Sequence, residues 1–133
     1  MNEHILIVDD EQNFRFSAEL ALKKQGYTVS ETDDGEDAFT MILEAEKNSR
    51  QFDLILLDMD LPTISGIEII KRLQAVKITV PTIIISGQLT STVFKELLAL
   101  GCLDIFFKPI SERALTTRVK EVFQKGAQNH LFT

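Results

Sequence analysis

The chain has 133 residues, 44% of them hydrophobic, which is enough for one domain with its own core but not for two. Its 20 acidic residues outnumber its 14 Lys and Arg, and the formal net charge of -6 opposes direct binding to nucleic acid or anionic lipid. The single cysteine, Cys102, excludes an internal disulfide, and apolar runs far below ~20 residues exclude a membrane span, so we predict a cytoplasmic protein.

Five short apolar segments rich in β-branched residues predict five β-strands. The predicted strands cover residues 5–8, 27–30, 54–57, 82–85 and 103–107. Several of them are apolar at nearly every position, which is typical of strands buried on both faces of a parallel sheet. We therefore expect helices to cover both faces of this sheet.

Longer amphipathic segments separate the strands and predict five helices. Their apolar faces are marked by residues that recur at helical spacing: Phe14, Ala18, Ala21 and Leu22; Ala38, Met41, Ile42 and Ala45; Gly66, Ile69, Ile70 and Leu73; Val93, Leu97 and Leu100; and Leu115, Val119, Val122 and Phe123. Two helices are predicted to begin at Asp34 and Ser111, whose side chains suit a helix N-cap. Two are predicted to end at Gly26 and Gly101.

The strict alternation of strands and helices predicts an α/β fold, most simply an open, doubly wound sheet. We assign residues 1–125 to this domain and residues 126–133 to a short tail after the last helix. Ligands of such sheets bind beyond the carboxyl ends of the strands. The residues that end each strand are therefore the candidates for a functional site.

Polar residues with related chemistry follow four of the predicted strands. They are Asp9, Asp10 and Glu11 after the first strand, Asp58 after the third, Ser86 and Gly87 after the fourth, and Lys108 and Pro109 after the fifth. Carboxylates gathered at one edge repel one another unless a raised pKa or a cation relieves them, and Mg²⁺ prefers such hard oxygen ligands. A phosphate could complete the coordination shell of the magnesium ion. Lys108 could then pair with a second phosphate oxygen, and the Ser86 hydroxyl could donate a hydrogen bond to a third. Asp58 then remains as the nucleophile for phosphoryl transfer.

Each of these residues also has a simpler structural explanation. Asp9 or Asp10 alone could cap the following helix. Asp58 alone could open a turn, and Ser86 alone could be an ordinary loop residue. Lys108 is harder to explain in this way, because a lysine at the end of an apolar strand is costly to bury without a partner. The occurrence of all of them at one edge favours a functional site.

Four motifs resemble those of the receiver domain of two-component response regulators, and the resemblance covers residues 5–125. The motifs are ILIVDDE at 5–11, DMDLPTISG at 58–66, IIISG at 83–87 and GCLDIFFKP at 101–109. Together they are highly specific. The resemblance implies a flavodoxin-like, doubly wound fold with a five-stranded parallel sheet of order 2-1-3-4-5 and five helices.

The resemblance also implies a phosphoacceptor and a set of metal ligands. Asp58 would accept a phosphoryl group from a sensor histidine kinase or a phosphotransfer protein. The cofactor Mg²⁺ would be held by Asp10, Asp58 and the backbone carbonyl of Asp60, with Asp9 acting through water. The protein would then be a signalling switch and not an enzyme, promoting only its own phosphorylation and dephosphorylation.

The resemblance implies that a second group of residues responds to phosphorylation. Ser86 would move toward the phosphoryl group, Lys108 would contact it, and the Lys108–Pro109 peptide bond would be cis. The family usually has Tyr or Phe three places before this lysine, where the chain has Ile105. Since Ile105 lacks the ring that normally moves with the hydroxyl residue, we expect it to transmit the movement of Ser86 less sharply.

The resemblance implies that a downstream protein or output domain is controlled through the face formed by the fourth helix, the fifth strand and the last helix. Phe94 and Leu98 widen the apolar arc of the fourth helix beyond what one buried face requires, and surplus apolar surface often marks a partner site. The resemblance also allows a homodimer that depends on phosphorylation.

Two other functional classes share part of this pattern. Asp58 and Asp60 match the Asp-x-Asp pair of haloacid-dehalogenase-type phosphatases, but those enzymes place the double-Asp pair last and usually carry a cap. Here Asp9 and Asp10 come first, and no cap segment is visible. A flavin carrier of similar topology should have a phosphate loop rich in Ser, Thr and Gly after the first strand, where this chain is acidic.

Overall fold

A computed structural model describes the backbone of residues 2–132 and the side chains of residues 2–124. Five strands and five helices alternate along the chain, as predicted. Their bounds are β1 His4–Val8, α1 Gln12–Lys24, β2 Thr28–Thr32, α2 Gly35–Lys47, β3 Leu54–Asp58, α3 Gly66–Ala75, β4 Thr82–Ser86, α4 Ser91–Ala99, β5 Asp104–Phe107 and α5 Glu112–Phe132.

The strands form one parallel sheet in the order β2-β1-β3-β4-β5, which confirms the predicted topology. Buried side chains form a cluster on each face. One cluster, against α1 and α5, includes Ile5, Ile7, Leu22, Leu115 and Val119, and the other, against α2, α3 and α4, includes Leu6, Val8, Ile42, Ile69 and Leu97. Because successive residues of a strand point to opposite faces, β1 supplies both clusters, and this explains its unbroken apolar sequence.

The strand bounds differ from the predicted ones mainly at polar residues. β3 and β4 each continue one residue further than predicted, to Asp58 and Ser86, because these residues still take part in the ladder. β2 runs two residues past its predicted end to Thr32. It is an edge strand paired with β1 alone, so its polar residues tolerate exposure and do not carry the apolar signal.

The predicted helix caps are confirmed. Asp34 precedes α2, and its side chain accepts a hydrogen bond from the Glu36 N–H at 3.0 Å. Ser111 precedes α5, and its hydroxyl accepts from the Ala114 N–H at 3.0 Å. Gly26 and Gly101 follow α1 and α4 with φ of +96° and +88°, a left-handed conformation that favours glycine.

The last helix is longer than predicted. We expected it to end before Gly126, whereas α5 continues to Phe132. A single glycine costs a helix only about 1 kcal/mol relative to alanine, and its neighbours Lys125, Ala127 and Gln128 are good helix formers. The division into a domain of residues 1–125 and a tail stays a prediction. In the part of the chain that the structure describes, no helix has both the length and the apolar character needed to span a membrane.

Candidate functional site

The register of the central strands brings two of the predicted site residues together. Val8 of β1 pairs with Leu57 of β3, so Asp9 and Asp58, the next residue of each chain segment, lie side by side at the carboxyl edge. Both carboxylates are withdrawn from solvent, with Asp9 1% and Asp58 4% exposed. Asp10 follows Asp9 and is exposed. The sheet therefore turns a local sequence pattern into a three-carboxylate cluster.

This acidic cluster is compact and partly fixed by the backbone. One carboxylate oxygen from each of Asp9, Asp10 and Asp58 lies within 4.8 Å of the others. The Glu11 N–H donates to Asp9 Oδ1 at 2.8 Å, and the Asp60 N–H donates to Asp58 Oδ1 at 3.1 Å. One oxygen of each buried carboxylate is thus held by its own loop, which orients the other oxygen.

Lys108 supplies the partner charge to this cluster. Its ammonium lies 2.9 Å from Asp9 Oδ2 and 3.8 Å from Asp58 Oδ2, and it also pairs with the carboxylate of Glu11. The Lys108 side chain is only 16% exposed. The peptide bond between Lys108 and Pro109 is cis, the geometry that the resemblance implies. These contacts explain how a lysine at the end of an apolar strand avoids the cost of unpaired burial.

The electrostatics of the cluster show an excess of negative charge. Burial, together with the charge of Asp9 and the contact with Asp10, raises the pKa of Asp58 from 3.8 to about 7, against the opposing Asp60 N–H and Lys108. Burial also raises the pKa of Asp9. Burial alone would lower the pKa of Lys108, but its contacts with Glu11, Asp9 and Asp58 outweigh it and raise that pKa. The positive charge of Lys108 therefore does not fully balance the negative charge of the clustered carboxylates.

The residues of the cluster fit a magnesium ion. Asp9 Oδ2 is buried and, within the described residues, has no hydrogen bond of suitable geometry, although Lys108 Nζ is near it. Three carboxylates offer hard oxygen ligands, and a small divalent cation would relieve their repulsion. The donor chemistry of the three carboxylates therefore matches the predicted metal.

The hydroxyl of Ser86 faces its own loop. Ser86 ends β4 and is fully buried; its hydroxyl donates to the Gln88 carbonyl at 3.0 Å and accepts from the Gln88 N–H at 3.2 Å. Ile105 of β5 pairs with Ile84 and packs, half-buried, against the cluster that contains Leu97. The structure thus places Ser86 and Ile105 on neighbouring strands, with the Ser86 hydroxyl engaged by Gln88.

A close backbone approach explains the glycine at the end of the 58–66 motif. A Cβ atom on Gly66 would lie 2.8 Å from the carbonyl oxygen of Asp58 and 3.2 Å from Cα of Met59. The Gly66 N–H also donates to the Met59 carbonyl at 3.1 Å. The start of α3 is therefore packed directly on the strand end that carries Asp58, which leaves this loop little room to shift.

Phe14 and Arg15 lie near the site without a role predicted from the sequence, and Glu11 is predicted only as one of the polar residues after the first strand. Glu11 pairs with Lys108, and the Phe14 ring lies 5.1 Å from the Lys108 ammonium. Arg15 donates to the Asp9 carbonyl at 2.8 Å and so supports the loop after β1. Their position in the sequence could have indicated a role, because all three lie at the start of the helix that directly follows the acidic end of β1.

The fold and the site define a class: a flavodoxin-like α/β domain whose strand ends present clustered carboxylates and a facing lysine. A family model described as the response regulator receiver domain matches residues 5–120. The chain belongs to this family, whose members are the receiver domains of two-component signalling proteins. This match confirms the resemblance drawn from the four motifs.

Similar proteins agree with this assignment. The chain is 35% identical over 128 residues to the alkaline phosphatase synthesis transcriptional regulatory protein PhoP of Bacillus subtilis, covering 95% of this chain and 50% of that protein. It is 31% identical to the transcriptional regulatory protein ResD of the same organism, covering 96% of this chain and 51% of that protein. The chain thus spans about half the length of these curated relatives.

Solved structures resemble the fold closely. The receiver domain of Francisella response regulator 1452 superposes with a TM-score of 0.81 at 26% identity, covering 94% of this chain and 99% of that one. A CheY-like receiver domain protein from Methanospirillum hungatei has a TM-score of 0.84 at 24% identity, covering 97% and 99%, and shows the fold alone. None of these findings supports the phosphatase alternative.

Proposed function

We propose that this receiver domain accepts a phosphoryl group on Asp58 and changes conformation in response. The observation that carries the proposal is the buried carboxylate of Asp58, set between Asp9, Asp10 and the ammonium of Lys108 at the edge of the sheet. Phosphoryl transfer depends mainly on positioning and charge neutralisation, and this arrangement supplies both. The natural donor is a phosphohistidine of a sensor histidine kinase or phosphotransfer protein.

In the transfer step, a carboxylate oxygen of Asp58 attacks phosphorus in line with the donor nitrogen. The new O–P bond forms as the P–N bond breaks, and the electron pair of that bond returns to the imidazole. Lys108 lies close enough to Asp58 Oδ2 to bind a phosphoryl oxygen. The Ser86 hydroxyl would exchange its bond with Gln88 for one to the phosphoryl group.

Asp10, Asp58 and the backbone carbonyl of Asp60 would hold Mg²⁺, with Asp9 contributing through water. When bound, this ion would neutralise charge on the phosphoryl oxygens during transfer. The exposure of Asp10 and the engagement of Asp9 by Lys108 and the Glu11 N–H support this division of roles. We infer a signalling switch that catalyses no reaction on other substrates.

The output surface in this proposal is formed by α4, β5 and α5. Phe94 and Leu98 of α4 and Phe107 of β5 are exposed large hydrophobic residues, which suits contact with a downstream protein, an output domain or a second phosphorylated copy. The net charge of -6 disfavours direct contact with nucleic acid. The single cysteine and the receiver family are consistent with a cytoplasmic location.

Labelling by a small phosphodonor tests the proposed function. Acetyl phosphate should label the protein when Mg²⁺ is present and fail to do so in excess chelator, because the acidic edge repels phosphate until a cation neutralises it. The linkage should be alkali-labile, as an acyl phosphate is. Equal labelling with and without the divalent cation, or an alkali-stable linkage, would contradict the proposal.

The assigned metal ligands predict a ranking of magnesium affinities. Asp10→Ala should weaken Mg²⁺ binding more than Asp9→Ala, because the first substitution removes a direct ligand and the second a water-mediated one. An indirect partner typically contributes about 10- to 100-fold in affinity. Titration of both variants with Mg²⁺ gives the ranking, and Asp33→Ala, an exposed aspartate just after β2, should behave as wild type. Equal affinities of the two variants would refute the separation of roles.

The output surface predicts where phosphorylation alters amide exchange. With beryllofluoride and Mg²⁺ as a phosphoryl mimic, protection should change clearly in the loops after Asp58 and Ser86 and weakly around Ile105. An Ile105→Tyr variant should show a larger change over residues 91–107, since the ring restores reach. Hydrogen exchange read by mass spectrometry measures both. Changes confined to α1 and α2 would place the output surface elsewhere.

A further inference from the structure

An aromatic ring lies against the lysine of the site. The ammonium of Lys108 is 5.1 Å from the ring centroid of Phe14, within the ~6 Å over which a cation is attracted to an aromatic face. The lysine side chain is 16% exposed, so water weakens this attraction only in part. The proposed phosphoryl chemistry uses Lys108 but leaves Phe14 without a function.

The start of α1 brings both a ring and a carboxylate to the ammonium. Glu11 is the extended N-cap of α1 and Phe14 lies in its first turn, and the structure places both side chains near the Lys108 ammonium. Asp9 lies 2.9 Å from the same ammonium. Unlike these carboxylates, the ring carries no charge and attracts the ammonium through its quadrupole. It therefore attracts the ammonium without adding a further anion to a site that would bind a phosphoryl group.

Core packing is the simpler explanation for Phe14. The residue packs at the margin of the cluster formed with α1 and α5, and it lines a cavity of about 50 Å³ together with Ala18, Ile110 and Leu115. That role requires an apolar side chain of similar size, which leucine or methionine also provides. It does not require an aromatic ring next to a partly buried ammonium.

We propose that Phe14 is a positioning residue for Lys108, whose ring holds the ammonium at the edge of the sheet where a phosphoryl group on Asp58 would be bound. The inference rests on the proposed function, because the phosphorylated Asp58 is the anion that Lys108 would meet. Leucine at this position keeps the apolar contact and loses the attraction. Tyrosine keeps both.

The contact itself is measured in the full chain without metal or phosphoryl mimic. Proton and carbon resonances of the Lys108 ε-methylene, assigned by their loss in Lys108→Arg, should be shifted upfield by the ring current of Phe14. The shift should persist in Phe14→Tyr and disappear in Phe14→Leu and Phe14→Met. Phe16→Leu removes a 62%-exposed ring from the same helix and should leave the resonances unchanged.

The functional consequence is measured as affinity for beryllofluoride at saturating Mg²⁺. Phe14→Leu and Phe14→Met should bind it roughly 3- to 10-fold more weakly than wild type, the effect of losing one partly buried cation–π contact. Phe14→Tyr and Phe16→Leu should bind it within about twofold of wild type, the scatter expected for a neutral substitution. Affinity for Mg²⁺ alone should be the same in all four variants. Thermal unfolding identifies a temperature at which every variant is folded.

The outcomes separate the two proposals. If wild type binds beryllofluoride and Phe14→Leu binds it equally well, Phe14 is a packing residue and the positioning role is refuted. An unshifted Lys108 resonance in wild type refutes it as well. If wild type binds no beryllofluoride at all, the proposed function fails, and the positioning role fails with it. Recovery of affinity in Phe14→Tyr, at unchanged Mg²⁺ affinity, supports the aromatic role.

Discussion

Asp58→Asn is expected to take no phosphoryl label from acetyl phosphate at any concentration of Mg²⁺. The carboxylate oxygen that would attack phosphorus is replaced by an amide, which is a poor nucleophile. Asp9 should not substitute for it, because its carboxylate is held by Lys108 and the Glu11 N–H. Intact-mass spectrometry after incubation with the donor measures the added phosphoryl group directly.

The matched control for this loss is another acid at the same edge of the sheet. Asp33 is exposed in the loop after β2 and lies outside the acidic cluster, so Asp33→Asn should label as wild type does. Ser86→Ala should keep its label with the same alkali lability, since the hydroxyl is not the acceptor. Label on Asp58→Asn at the wild-type level would mean that Asp58 is not the phosphoacceptor.

The same substitution is expected to stabilise the metal-free protein at neutral pH and above. Burial and the neighbouring carboxylates raise the pKa of Asp58 to about 7, so the folded state disfavours the ionised form. Asparagine removes that charge. We expect the free energy of unfolding at pH 8, with chelator present, to rise by about 1 to 3 kcal/mol, the range for relieving a poorly compensated buried polar group.

The sign of the pH dependence follows from proton binding. Between pH 3.8 and about 7 the folded protein binds more protons at Asp58 than the unfolded chain does, so stability falls as pH rises through this window. Asp9, whose pKa is also raised by burial, acts in the same direction. Wild type and Asp58→Asn should therefore have similar stability near pH 4 and diverge progressively up to pH 7.

Denaturant unfolding from pH 4 to 8 measures this divergence. Asp33→Asn should change stability by less than about 0.5 kcal/mol at every pH, as exposed substitutions do. Added Mg²⁺ should stabilise wild type through linkage but stabilise Asp58→Asn much less, because a metal ligand has been lost. Parallel curves for wild type and Asp58→Asn across the whole range would show that Asp58 does not titrate near pH 7.

Prediction from the sequence succeeded where the signal was local and repeated. The central strands β1, β3 and β4 are apolar on both faces over most of their length, each helix has one apolar stripe, and capping residues such as Asp34 mark the boundaries. It failed where the signal was weak. The exposed edge strand β2 extends beyond its predicted end, and α5 continues past residue 125 to Phe132.

The alternating α/β fold and the identity of the residues that meet at the strand ends follow from the sequence alone, because the carboxyl ends of parallel strands share one edge of the sheet. The interactions among those residues depend on tertiary packing. Glu11 and Lys108 are 97 positions apart in the sequence. Their ion pair depends on the sheet, in which β1 is connected to β5 through the strand pairs β1–β3, β3–β4 and β4–β5. The raised pKa of Asp58 likewise arises from burial beside Asp9, and the Phe14–Lys108 contact from the docking of α1. Periodicity encodes which face a side chain occupies, whereas distance and desolvation depend on the packing of segments remote in the chain.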